Sequence, residues 1–197
     1  MIVLKFGGSS VASATEVEQV LAVLAQQKKP MAVVVSALGG ITDELHALGK
    51  LAADGDASYA DRLKQVEERH VMMVQALITV SKRSAILSTT KQIINKLETI
   101  LEGTRMIREL SPKTRDTLLS FGEILSHNII AEAAKAKGID AIAKNAQELI
   151  VTFQSLGRTL VDYKKTNANL KVFFKNNKHQ VVILPGFVSK NAEGIRS

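Results

Sequence analysis

The sequence predicts an α/β fold: a three-layer αβα sandwich with a mostly parallel sheet, incomplete at the C-terminus. Three observations predict it. Apolar runs at 2–6, 31–35 and 181–184 have strand length and little polar alternation, as in strands buried on both faces. Each run ends in small residues or glycines: Gly7-Gly8, Ser36-Ala37-Leu38-Gly39-Gly40 and Pro185-Gly186. Between the runs lie segments with apolar residues three or four apart, the period of helices.

In chain order, Ile2–Phe6 reads as a strand running into the first glycine turn. Ser13 or Thr15 caps a helix carrying Val17, Val20, Leu21 and Leu24 on one face, and Pro30 stops it. Met31–Val35 is the second strand, and residues 41–53 form the next helix up to Asp54-Gly55-Asp56. From about 57 to 103 the pattern is helical and charged. Two long helices fit it, with a break near Thr79–Ser84 and Gly103 as the end of the second. Ser111-Pro112 starts a helix, with Ser at the cap and Pro in the first turn; it runs to Lys137 and stops at Gly138. Ile139–Ala143 is a short strand and Ala146–Ile150 a turn of helix. Asp162 caps a helix reaching about Asn176, and Val181–Leu184 is a further buried strand.

Composition bounds the function classes. With 46% hydrophobic residues the chain of 197 can bury a core and is not a disordered segment. Cysteine is absent, which excludes disulfides, thiolate metal sites and a Cys nucleophile, and fits a reducing, cytoplasmic setting. No apolar stretch reaches the roughly 18 residues a membrane span needs. The net charge is +7. Part of it is local: Lys164, Lys165, Lys171, Lys175, Lys178 and Lys190 lie between Asp162 and Glu193 with no acid among them. A solvated helix face accounts for such a run. A nucleic-acid surface would add arginines and stacking aromatics, whereas Phe173 and Phe174 sit among apolar neighbours.

Four groups of residues could carry chemistry. The glycine turns stand at the carboxyl ends of strands, where open α/β sheets bind ligands, so Gly7, Gly8 and Ser9 could cradle an anion. A plain turn is the alternative for any one Gly-Gly pair. Lys5 precedes the first turn by two residues in an apolar strand; its ammonium could reach the same anion, or it could snorkel from an edge strand. Ser36 and Thr42 flank the second turn and could donate to a carboxylate or phosphate, or cap the following helix. Glu123 falls in an apolar sector of its helix, between Leu119, Ile130 and Ala134. A buried carboxylate needs a cation or donors, and either a substrate ammonium or an internal Lys or Arg would serve. No metal-ligand cluster stands out.

These residues resemble the amino-acid kinase superfamily and, within it, the aspartate kinases. Lys5-Phe6-Gly7-Gly8-Ser9-Ser10-Val11 resembles the family's Lys-Phe-Gly-Gly-Thr/Ser-Ser-Val opening. Val35-Ser36-Ala37 with Thr42, Ser120-Phe121-Gly122-Glu123 and Gly186-Phe187 resemble later family elements in the expected order. The resemblance implies transfer of a phosphoryl group from ATP, with Mg2+, to L-aspartate, giving 4-phospho-L-aspartate for lysine, threonine and methionine synthesis. It implies Lys5 as a catalytic contact to the ATP phosphates, with Gly7, Gly8 and Ser9 in the phosphate cradle. It also implies Thr42 and Glu123 on aspartate, Glu123 through the amino group, and Ser36 near the reacting carboxylate. A homo-oligomeric parent is expected, with no membrane or nucleic-acid partner.

The family pattern continues past the Gly-Phe loop into Thr-Thr-Leu-Gly-Arg-Gly-Gly-Ser-Asp, whereas this chain closes at Glu193-Gly194-Ile195-Arg196-Ser197. Residues 1–197, with the helical segment at about 57–103, are therefore expected to be the N-terminal portion of the catalytic domain, inactive alone. The helical stretch at 57–103 resembles both single-function parents and parents fused to a homoserine dehydrogenase. Alternatives of other kinds are a kinase for another acidic amino acid, a basic nucleic-acid-binding module and a non-catalytic interaction domain.

Overall fold

The computed structural model describes residues 1–155, 158–177 and 180–191; Lys178 and the closing 193–197 stretch lie outside them. The three apolar runs become β1 (Ile2–Phe6), β2 (Met31–Val35) and β6 (Val181–Pro185), and Ala141–Ala143 becomes β3. They form one all-parallel sheet in the order β1-β2-β6-β3.

Strand periodicity sorts the core into two. Met31, Val33 and Val35 of β2 and Val181 and Ile183 of β6 point to one face. Ala32, Val182 and Leu184 point to the other. On the side of the first face lie α1 (Ala14–Gln26), α2 (Ile41–Asp54), α3 (Tyr59–Leu77), α4 (Arg83–Ile107) and α5 (Pro112–Ala136), all in one continuous core in which α5 packs on β2, β3 and β6. The second face is covered by α6 (Tyr163–Asn176) and a short 3-10 turn, Ala146–Glu148. Phe173 and Phe174 pack there edge to face at 5.3 Å, as core residues rather than stacking platforms. The result is the expected three-layer sandwich.

The predicted caps form. Ser13 accepts from the Thr15 N–H at 3.2 Å, Ser111 from Thr114 at 3.1 Å and Asp162 from Lys165 at 3.0 Å. The two long helices meet at a 3-10 turn, Val80–Lys82, inside the expected break.

Three expectations need correction. Gly103 does not end α4, which continues to Ile107 and closes on Arg108 at φ 55°. An interior glycine costs only about 1 kcal/mol of helix propensity, and burial of Leu101 and Thr104 on either side of it holds the helix on. Next, Val151–Ser155 and Arg158–Val161 form strands β4 and β5, an antiparallel pair absent from the sequence reading. Lys190–Asn191 adds a short strand, β7, parallel to β4. Finally, Lys5 is not buried. β1 is the last strand of its sheet, and only Ile2, Leu4 and Phe6 pack inward. Val3 is 62% exposed and Lys5 is exposed with it, on the same face of the sheet as Ala32 but beyond the residues that α6 packs against.

Candidate functional site

The carboxyl ends of β1, β2 and β6 converge. The Ser36 N–H donates to the Phe6 carbonyl at 3.1 Å, and the Gly186 N–H donates to the Val35 carbonyl at 2.9 Å. The two glycine turns touch: a Cβ on Gly8 would lie 3.4 Å from the Ala37 carbonyl oxygen, and one on Gly39 would lie 2.9 Å from the Ala12 Cβ. A side chain on Gly39 would wedge these turns apart.

Helix α5 runs beneath the second turn. Gly122 makes this possible, because a Cβ there would stand 2.7 Å from the Ala37 Cβ. The close approach delivers the next residue, Glu123, to the strand end. Its carboxylate comes near the backbone N–H groups of Ala37 and of Glu123 itself, which favour its charged form. Ser126, one turn on, donates from Oγ to the Ser36 carbonyl at 2.6 Å and ties the helix to the turn.

Glu123 is 6% exposed, and burial raises its pKa above the ordinary glutamate value despite the two backbone donors. Among the described residues no Lys, Arg or His is ion-paired with it. His127 engages the backbone instead, donating from Nδ1 to the Glu123 carbonyl oxygen at 3.1 Å. Burial depresses the His127 pKa to about 4, so the ring is neutral at pH 7.

Glu123 opens into a cavity of about 410 Å³ lined by Ser36, Thr42, Asp116, Leu119, Ser120, Gln147, Phe187 and Val188. That volume lies in the range of small-molecule sites, roughly 300–1,000 Å³. Thr42 is free to face it because α2 is capped at Gly40, without a side-chain cap. Of the residues predicted from sequence, Ser36, Thr42 and Glu123 come together here. Lys5, Gly7, Gly8 and Ser9 do not line this cavity. Gly8 approaches the Ala37 carbonyl, whereas Ser9 lines a separate depression of about 360 Å³ with Phe6, Ser10 and Glu16. Gln147 and Asp116 were missed. The only signal for Gln147 was its place just after β3, at the same edge of the sheet as the glycine turns.

This arrangement suits a small amphoteric ligand: one buried anion for a cation, hydroxyls and backbone donors for an anion. The amino acid kinase family matches residues 1–197. Aspartokinase 1, chloroplastic, of Arabidopsis thaliana is 34% identical over 148 residues, 75% of this chain and 26% of its own length. Bifunctional aspartokinase/homoserine dehydrogenase 1, chloroplastic, of the same plant is 25% identical over 193 residues, 97% of this chain and 21% of its own. The chain thus spans about a quarter or less of these two curated relatives. In structure it resembles E. coli aspartokinase III in complex with aspartate and ADP, with a TM-score of 0.86 and 22% identity. That match covers 100% of this chain and 43% of the other, and it shows the fold. On the family match along its whole length, the chain belongs to the amino acid kinase family.

Proposed function

We propose that the protein is an aspartate kinase and that this chain supplies its amino-acid pocket and part of its phosphate site. The reaction would move the γ-phosphoryl group of ATP onto the side-chain carboxylate of L-aspartate. The observation that carries the reading is Glu123, a buried carboxylate that lacks a cation among the described residues and lines a cavity of amino-acid size. A substrate ammonium group would complete it. Ser36, Thr42 and the nearby backbone would then hold the substrate carboxylate that faces the glycine turns. That carboxylate is already ionised at neutral pH and is itself the nucleophile, so no general base is required. The neutral, backbone-bonded His127 fits that absence of a base.

The phosphate half rests on the first turn. Gly8 leaves room beside the Ala37 carbonyl, and Gly7 and Ser9 flank it with backbone N–H groups. Lys5 forms no ion pair among the described residues, so its ammonium is free to swing over transferring oxygens. Mg2+ fits as a partner of the nucleotide, neutralising phosphate charge, because phosphate oxygens supply most of its ligands. Among the described residues no group of three or more His, Asp or Glu would hold a metal independently. No helix among the described residues is long and apolar enough to cross a membrane. A cytoplasmic, homo-oligomeric parent enzyme belongs to the same reading.

Calorimetric titration of L-aspartate into the chain tests the pocket: saturable binding supports it, and its absence overturns it. Hydroxylamine trapping of phosphoaspartate with Mg-ATP tests turnover. It should be positive in a longer protein carrying this chain and negative for the 197 residues alone; a negative longer protein would overturn the kinase reading.

A further inference from the structure

We propose that Gln147 is a further substrate-binding residue, its side-chain amide donating to the non-reacting α-carboxylate of the amino acid. This rests on the reading that the cavity takes L-aspartate. Gln147 lines the same cavity as Glu123, Ser36 and Thr42. Its Nε2 is buried and has no hydrogen-bond partner among the described residues. A buried donor without an acceptor is costly, and in a cavity wall an arriving ligand is the natural source of one. The rest of the turn is satisfied. The Gln147 N–H donates to Asn145 Oδ1 at 3.0 Å, and Asn145 Nδ2 lies 3.5 Å from Gln147 Oε1. That leaves Nε2 as the free end of the amide. The terminal torsion of glutamine is soft, so the N–H2 group can turn toward the cavity at little cost.

The sheet order says which end of the substrate Gln147 meets. Gln147 follows β3, and the turn after β1 is at the opposite end of the order β1-β2-β6-β3. Three strand spacings separate them, about 14 Å. The reacting carboxylate must face the β1 and β2 turns, where the phosphoryl group arrives. Glu123 takes the ammonium above β2. The remaining group, the α-carboxylate, is left toward β6 and β3, on the Gln147 side. The cation next in sequence on that side, Lys144, is already paired with Glu148 and lies 5.5 Å from the Phe173 ring centre. Among the described residues a neutral amide donor is therefore what this wall presents.

Three ligands read the contact separately. L-Aspartate carries both carboxylates, L-alanine only the α-carboxylate, and β-alanine only the equivalent of the reacting one. Binding of each is measured by NMR titration on the unaltered chain, on Gln147→Ala and on the near-isosteric Gln147→Glu. Gln147→Ala should raise the Kd for L-aspartate and L-alanine roughly tenfold, the usual effect of losing a hydrogen bond to a charged group. It should leave β-alanine unchanged and should not lower Tm, because an unpartnered donor has been removed. Gln147→Glu should weaken the same two ligands further by placing a carboxylate against a carboxylate. Equal weakening of all three ligands, or a fall in Tm with no change in preference, overturns the proposal and marks a structural role. Unaltered L-aspartate binding in both variants overturns it while leaving the pocket intact. No L-aspartate binding by the unaltered chain overturns the pocket reading itself, and this inference with it.

Discussion

Replacing Glu123 by glutamine should push binding and stability in opposite directions. The substitution keeps the shape of the side chain and an oxygen for the Ala37 N–H, and it removes only the charge. If the substrate ammonium sits on this carboxylate, the loss is that of a charge-assisted hydrogen bond, about 1.5–3 kcal/mol. The Kd for L-aspartate should then rise roughly ten- to a hundredfold or more. Stability follows from the direction of the pKa shift. Burial raises the folded-state value above the unfolded one. The protonated form is thus favoured by folding, and its contribution is complete below the unfolded pKa, near 4.5. That contribution is lost as pH rises through the higher folded value. Glutamine cannot ionise, so Glu123→Gln should lose nothing over that window.

The assay is a pair of thermal melts at pH 4 and pH 8, with a calorimetric titration at pH 8. Tm of the variant minus Tm of the parent should increase from the lower to the higher pH. For a chain of this size each 1 kcal/mol moves Tm by about 2–4 °C, well within reach of the measurement. A variant that binds L-aspartate like the parent refutes the ammonium role. A Tm difference independent of pH refutes the account of the buried charge.

The other predictions concern the frame of the site. Gly122→Ala places a methyl group 2.7 Å from the Ala37 Cβ and 3.3 Å from Ile41 and Leu45 side-chain atoms, so overpacking of about 1–3 kcal/mol should outweigh the gain in helix propensity of about 1 kcal/mol; a higher denaturant midpoint would contradict this. Lys5→Ala, in a longer protein with kinase activity, should lower kcat on the order of 100-fold with a smaller change in the KM for aspartate; an unchanged kcat would count against its role on the transferring group. His70 and His127 are both buried and held near pKa 4 instead of 6.5. Their depressed values favour the fold above pH 6.5, and that advantage, roughly 3 kcal/mol per ring, is lost as pH falls toward 4. Acid unfolding followed by circular dichroism should accordingly soften in His127→Gln, and a transition identical to the parent's would remove His127 from the account.

How far the sequence disclosed this arrangement depended on whether burial was uniform. β2 and β6 read correctly because both faces are covered, so every position is apolar and the strand stands out. β4 and β5 escaped because Phe153 and Leu160 are exposed and the remaining positions are polar or β-branched, a pattern that also describes a loop. β1 was read as buried on both faces, and the edge-strand alternative raised for Lys5 is what the pairing shows. An apolar run does not distinguish a central strand from an edge strand, and only pairing shows that β1 has β2 as its one neighbour here. Among the described residues the exposed Lys5 ammonium has no carboxylate partner, whereas a buried one would need a permanent counter-charge. Glu123 was legible for the opposite reason, since a helix places neighbours predictably and a carboxylate in an apolar sector is conspicuous. Gln147 could not be found that way. A glutamine in a short turn carries no charge to mark it, and only the unpartnered amide at the cavity wall sets it apart. Residues whose demand is a missing charge partner can be read from one helix, whereas those whose demand is a missing hydrogen bond become visible only when the surrounding walls are in place.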